Sequence, residues 1–201
     1  MPRINAEYRE EAKKKILDAA VEVATEEGWS ALTLDALARK IGVTKGAFYS
    51  YFENSGTLME DVTVAMIRKL RGHVVEYLAE TDDIHGAIER LAAFIFLQPK
   101  PFIPVFFQAI ATMPRNPAFL REISALFDEN SALFVQELAR FRERGQIPAD
   151  VDLVDAARAI YCMTIGLGLS THMLGKDAEV SRRIWIDTVE RILHIVPANR
   201  A

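Results

Sequence analysis

The chain has 201 residues, 50% of them apolar and 26% charged, which gives ample material for a core and excludes wholesale disorder. Its formal net charge of −4 argues against a protein that clings to polyanions over its whole surface. No uninterrupted apolar run of about 18 residues occurs, so no transmembrane helix is expected. The N-terminal Met1-Pro2-Arg3-Ile4-Asn5 lacks the apolar stretch of a secretory signal, and a single cysteine, Cys162, permits no internal disulfide; a reducing cytoplasm is the expected compartment.

Strand signals are nearly absent and apolar residues recur at helical spacing, which predicts an all-α chain of about nine helices. The first is expected over residues 7–27, with Ile16, Ala20, Val23 and Ala24 as its apolar stripe and Gly28 as its stop. The second and third come from residues 33–52. The fourth runs from Ser55–Thr57 to Ala79, the fifth from a capping Asp83 to Leu97, and the sixth over residues 102–113 with Pro104 in its first turn. Asn116 as N-cap and Pro117 at the first helical position open the seventh, which reaches Arg144 ahead of Gly145. Asp150 or Asp152 caps the eighth, which ends at Leu174 before Gly175; the ninth spans residues 178–196 and stops before Pro197. The proline-containing pieces at 99–104 and 114–117 read as corners, too short for linkers. The expected division is a domain over residues 1–53 and a larger one over residues 54–201.

Residues 33–52 carry the strongest functional signal. Thr33 is placed to cap the second helix, and Asp35 sits favourably in its first turn. Leu34, Leu37, Ala38 and Ile41 supply an apolar face, Gly42 permits a sharp turn, Val43 reads as a buried plug, and Thr44 caps the third helix. Lys45, Gly46, Tyr49 and Ser50 then share an exposed face while Phe48 and Phe52 point inward. A helix N-terminus, Lys and Tyr donors, and a Gly that admits close approach suit a helix-turn-helix docked on DNA. The module holds eight Lys/Arg and eight Asp/Glu over residues 1–52, so any attraction to phosphate comes from local arrangement: Arg39, Lys40 and Lys45, with Lys13–Lys15.

These residues resemble the TetR family of bacterial and archaeal transcriptional regulators. The likeness covers about residues 14–60: Ile16-Leu17-Asp18-Ala19-Ala20, Gly28, Thr33-Leu34, Leu37-Ala38, Gly42-Val43-Thr44-Lys45-Gly46 and Phe48-Tyr49-Ser50-Tyr51-Phe52. The resemblance implies an all-α homodimer, a repressor by expectation. It would bind a near-palindromic double-stranded operator through its third helices and leave it when a small effector fills the C-terminal domain. By position it implies DNA contacts at Thr33, Thr44, Lys45, Gly46, Tyr49 and Tyr51. Tyr51 stands where the family often has His. The family usually carries a Lys near the start of the fourth helix, where this chain reads Glu53-Asn54-Ser55-Gly56-Thr57. That removes a cationic phosphate contact.

The remainder reads as an effector and dimerisation domain. Phe106, Phe107, Gln108, Phe127, Asn130, Tyr161 and Thr164 are the candidate ligand-binding residues, aromatic walls with a few polar groups, and His172 is a further polar candidate. A hydrophobic or aromatic ligand is the natural expectation. Gly166 and Gly168 in the eighth helix suggest close helix approach. Gly168, Trp185, Val189 and Ile192 are the candidate dimer interface, with a four-helix bundle shared between two copies. Cys162 is expected to be an inert core residue. His73, His85, His172 and His194 are scattered, so no metal site is expected, and no cofactor loop or catalytic constellation appears. Two rival readings remain: an all-α enzyme, for which no catalytic group is nominated, and a helical small-molecule carrier with a vestigial helix-turn-helix.

Overall fold

A computed structural model describes residues 6–99, 102–112 and 116–196. The N-terminal Met1–Asn5, parts of the corners at 99–104 and 114–117, and Pro197 lie outside the described residues. Within them the chain forms nine α-helices and one short 3₁₀ helix. They are α1 (Ala6–Glu27), η1 (Trp29–Ala31), α2 (Leu34–Ile41), α3 (Lys45–Phe48), α4 (Ser55–Ala79), α5 (Ile84–Phe96), α6 (Phe102–Thr112), α7 (Pro117–Glu143), α8 (Leu153–Leu174) and α9 (Ala178–Ile192).

The chain divides into two compact units, residues 1–69 with 105–121, and residues 70–104 with 122–201. In the first, α1 packs on η1 and α2, and α2 on α3. The expected stripe of α1, Ile16, Ala20, Val23 and Ala24, is buried. Gly28 ends α1 at a φ of 92° that an L side chain rarely adopts. The residues after it wind into η1, which buries Trp29. That helix was not expected, because its three residues carry no periodicity. The α4 cap is also reassigned: Asn54 Oδ1, and not Ser55, accepts the Thr57 amide at 3.0 Å.

The second unit is organised around α5, α8 and α9, which pack on one another. Ile88, Leu91 and Phe96 of α5, Ala157 and Ile160 of α8, and Trp185, Ile186 and Val189 of α9 form its centre with Leu138 and Phe141 of α7. The caps follow the sequence expectations. Asp83 accepts from the Gly86 amide at 2.8 Å, and Asn116 from Ala118 at 3.0 Å. Asp152, and not Asp150, accepts from Val154 and Asp155. The α7–α8 connection is tied to the start of α5 by Gln146, whose Oε1 accepts from the Ile84 amide at 2.7 Å while its Nε2 donates to the Asp82 carbonyl at 2.6 Å.

Two expectations fail here. The ninth helix ends at Ile192, not at residue 196, because His194 adopts a φ of 54° and the Ile195 amide folds back on the Glu190 carbonyl at 3.0 Å. Of the two mid-helix glycines, only Gly168 marks a close approach: a Cβ there would lie 2.1 Å from Ile103 Cδ1, whereas one at Gly166 meets nothing within 4 Å. α8 is the one described helix long and apolar enough to cross a bilayer by length and composition, although polar residues break its apolar runs. Its buried side, Leu153, Ala156, Ala157 and Ile160, belongs to the same core as α5 and α9.

Candidate nucleic-acid interface

The helix-turn-helix is assembled by local chemistry. Thr33 is extended at φ −119°, ψ 156°, and its Oγ1 accepts the Ala36 amide at 3.1 Å, closing the N-terminus of α2. Its hydroxyl proton is still available to an outside acceptor. At the other end Gly42 is left-handed (φ 71°), and the amides of Gly42 and Val43 both reach the Ala38 carbonyl. This reversal leaves Val43 40% exposed. It is therefore not the buried plug that its apolar character suggested: Leu37, Ala38 and Phe48 already supply the buried apolar groups of the two helices, and Val43 sits on the rim of a surface hollow with Asp35, Ala38, Arg39, Gly42 and Lys45.

α3 is a single turn, Lys45–Phe48, followed by tight turns in which the Ser50 amide reaches the Ala47 carbonyl at 3.2 Å and Tyr51 reaches Phe48 at 2.9 Å. Thr44 has N-cap geometry but its side chain makes no capping bond; its carbonyl accepts the Ala47 amide at 3.0 Å. So short a helix has little macrodipole, and the expected phosphate attraction to its N-terminus shrinks accordingly. The side chains are arranged as expected. Phe48 and Phe52 are 1% and 3% exposed and anchor the segment, while Lys45, Gly46, Tyr49 and Ser50 face outward, Tyr49 at 57% exposure. Tyr51 is half-buried. A Cβ at Gly46 would touch only Thr44 Oγ1, at 3.9 Å, so the fold does not itself require glycine there.

The lysines of the module are not all available. Lys40 is held by Glu22 at 3.0 Å and Glu26 at 3.7 Å, and its hydrogen bond to the Glu22 carboxylate raises its pKa. Lys13 pairs with Asp61 at 2.8 Å and lies over the Phe52 ring. Lys45 pairs with Asp35 at 2.7 Å. Arg39 is exposed and makes no ion pair among the described residues. The missing cation near the start of α4 is not replaced there: Ser55 and Gly56 are exposed and uncharged.

The other predicted sites divide between the two units. Phe106, Phe107 and Gln108 lie in the first, where the two rings meet edge to face with centroids 5.8 Å apart and Gln108 is exposed. Phe127, Asn130, Tyr161 and Thr164 lie in the second. There Phe127 and Tyr161 meet edge to face at 5.5 Å. Asn130 Oδ1 is buried with no hydrogen-bond partner. Burial pushes the Tyr161 phenol up, so it stays a neutral donor. Thr164 is committed within the fold: it donates to the Ile160 carbonyl and accepts from Trp185 Nε1, both at 2.7 Å. His172 is committed too, with its Nε2 2.8 Å from the Ile95 carbonyl.

Gly168, Trp185 and Val189 are buried inside the single chain, and Ile192 packs partly against the same core. Gly168, Trp185 and Val189 have no outward surface to offer a second copy, whereas Ile192 is half-buried. The outward face of α9 is the opposite one, with Val180 and Ile184 40% and 45% exposed; α8 exposes Val154, Met173 and Leu174. Cys162 is exposed rather than a core residue. Among the described residues no cluster of His, Cys, Asp and Glu is arranged to hold a metal.

A capped helix, a left-handed glycine turn and a short second helix with an outward Lys-Gly-Tyr-Ser face define a helix-turn-helix DNA-binding domain. The family described as bacterial regulatory proteins, tetR family, matches over residues 16–62. The chain is 44% identical over 62 residues to the HTH-type transcriptional regulator SrpR of Pseudomonas putida, a match covering 31% of this chain and 29% of that protein. It is 24% identical over 211 residues, the whole of both chains, to the HTH-type transcriptional regulator TtgR, also of Pseudomonas putida. The fold matches that of a TetR-family regulator from Mesorhizobium loti with a TM-score of 0.72, at 19% identity over 92% of this chain and 96% of that one. Residues 16–62 match the DNA-binding domain of the TetR family, and the chain shares the fold of a TetR-family regulator.

Proposed function

We propose that this protein is a dimeric repressor that binds a near-palindromic operator in the cytoplasm and is released from it by a small, largely apolar effector. The observation that carries the reading is the outward face of residues 45–50, held by the buried Phe48 and Phe52 and offering a Lys, a Tyr hydroxyl and a Ser with no bulk at Gly46. Thr33 and Tyr51 add phosphate donors at its edges. One recognition turn reads few bases, so specificity comes from two copies engaging half-sites about 34–36 Å apart. The exposed apolar side chains of α8 and α9, among them Val154, Val180 and Ile184, support pairing of two chains.

The effector reading is supported by Phe127, Tyr161 and the unpaired Asn130 Oδ1, an apolar wall with one acceptor that a donor group on the ligand satisfies. An effector that favours a dimer of the wrong half-site spacing weakens DNA binding; a coupling of about 1–3 kcal/mol corresponds to about 5–150-fold. Sequencing of genomic fragments retained by the purified protein tests the reading. Enrichment of an inverted repeat supports it, and uniform recovery across the genome at low salt overturns it. Genes flanking the enriched sites then nominate effectors.

A further inference from the structure

The balanced charge of residues 1–52 is expressed as ion pairs, which engage four of the module's lysines. Lys40 and Lys13 are 28% and 32% exposed and bind α1 to α2 and to α4 through Glu22, Glu26 and Asp61, which makes them structural. Lys15–Glu11 is an ordinary exposed pair along α1. The Lys45–Asp35 pair is of another kind. Its ends are 54% and 66% exposed, it joins the first turn of α2 to the first residue of α3, and it is open to solvent as Tyr49 is. The geometry of the turn does not depend on it, because the Thr33 cap and the bonds from Gly42 and Val43 to Ala38 hold α2 at both ends, and Phe48 anchors α3.

We infer that Asp35 sets the DNA affinity of this protein: its carboxylate occupies the Lys45 ammonium in the free protein and must be displaced before Lys45 reaches a phosphate. The inference rests on the DNA-binding function proposed above. Two effects act in the same direction. The phosphate competes with a carboxylate already 2.7 Å from the ammonium. Once displaced, Asp35 remains beside the incoming phosphates, well inside a Debye length of about 10 Å at 0.1 M salt, and repels them. Both effects weaken binding to every sequence, so they suppress indiscriminate attachment and leave recognition to contacts that only the correct duplex completes. Arg39, in the same hollow and without an ion partner among the described residues, is a cation available for the first encounter.

The experiment titrates the full-length protein, Asp35→Asn, Lys45→Gln and the double variant against a short mixed-sequence duplex over a series of salt concentrations, with fluorescence anisotropy as readout and a thermal melt of each protein as the folding control. Asp35→Asn is expected to bind about two- to fivefold more tightly at low salt. Its plot of log affinity against log salt should steepen by about one phosphate contact. The double variant should gain less over Lys45→Gln than Asp35→Asn gains over the unaltered protein, because the competition for the ammonium is gone and only the repulsion by Asp35 is left to remove. An unchanged affinity and slope in Asp35→Asn, while Lys45→Gln weakens binding, overturns the inference and leaves the DNA-binding function standing. So does weaker binding by a folded Asp35→Asn, which would make Asp35 a direct acceptor from the duplex, and so does a gain in the double variant over Lys45→Gln as large as that of Asp35→Asn over the unaltered protein. Absence of duplex binding by the unaltered protein overturns the proposed function and the inference with it.

Discussion

The recognition segment and the α8–α9 pair use their side chains in opposite ways. Residues 44–52 bury two phenylalanines and present almost everything else outward. In α9 the largest side chain, Trp185, turns inward while Val180 and Ile184 remain outside, and α8 exposes Val154, Met173 and Leu174. A surface built for a polyanion needs donors held by a small anchor, because phosphate contacts are made by side-chain tips. A surface for a second copy of the chain is expected to be apolar and broad, and it is built from what the core does not consume. The lesson is that conspicuous residues mark function in the first region and folding in the second.

The comparison is broken most severely at Trp185. Trp185→Asp buries a charge where a 1%-exposed indole donates to Thr164, and should cost more than about 4 kcal/mol and unfold the second unit, seen as loss of the cooperative melt. A merely monomeric, fully folded variant would contradict this placement. Phe48→Ala removes the anchor of the recognition turn and should destabilise the first unit by about 3–5 kcal/mol, with DNA binding lost in parallel.

Ile184→Asp tests the outer face of α9. It should leave the melt of the monomer nearly intact and shift the sedimentation profile toward monomer; an unchanged dimer would place the interface elsewhere. Tyr49→Ala should weaken duplex binding about tenfold with no change in melting temperature, since its ring is 57% exposed; unaltered affinity would remove Tyr49 from the contact surface.

The smallest expected effect restores the missing cation. Ser55→Lys should tighten binding severalfold and add about one unit to the salt slope. Gly56→Lys is the poorer choice, because its Cβ would fall 2.9 Å from the Asn54 Oδ1 that caps α4. Loss of that cap costs about 1 kcal/mol, which a thermal melt of the two variants compares directly.

Much of this architecture was legible before any coordinates. Caps and stops are local: Thr33, Asp83, Asn116 and Asp152 each accept an amide from within the next three residues, and Gly42, Gly145 and Gly175 stand where φ is positive. The outward face of residues 45–50 followed from the same short-range logic, with Phe48 and Phe52 at the spacing that points both inward. Beyond caps and helix ends, what misled was whether an apolar residue meets the core, a second chain or solvent. Val43 and Cys162 read as buried and are exposed, and Trp185 and Val189 read as interface and are core. Helical periodicity says that a residue lies on an apolar face. It does not say whether that face meets the same chain or another.

The sequence by itself determined the all-α class, the helix boundaries set by caps and glycines, the helix-turn-helix and its likeness to the TetR DNA-binding domain, because each depends on interactions within a few residues or on a motif read in order. Only the tertiary structure decided which lysines are engaged. Lys40 with Glu22 and Glu26, Lys13 with Asp61 and Lys45 with Asp35 join residues ten or more positions apart, and no periodicity brings such partners together. The side of α9 that meets the core was likewise settled by packing against α5 and α8. Burial depends on what the rest of the chain places opposite a residue, and that is a property of the fold.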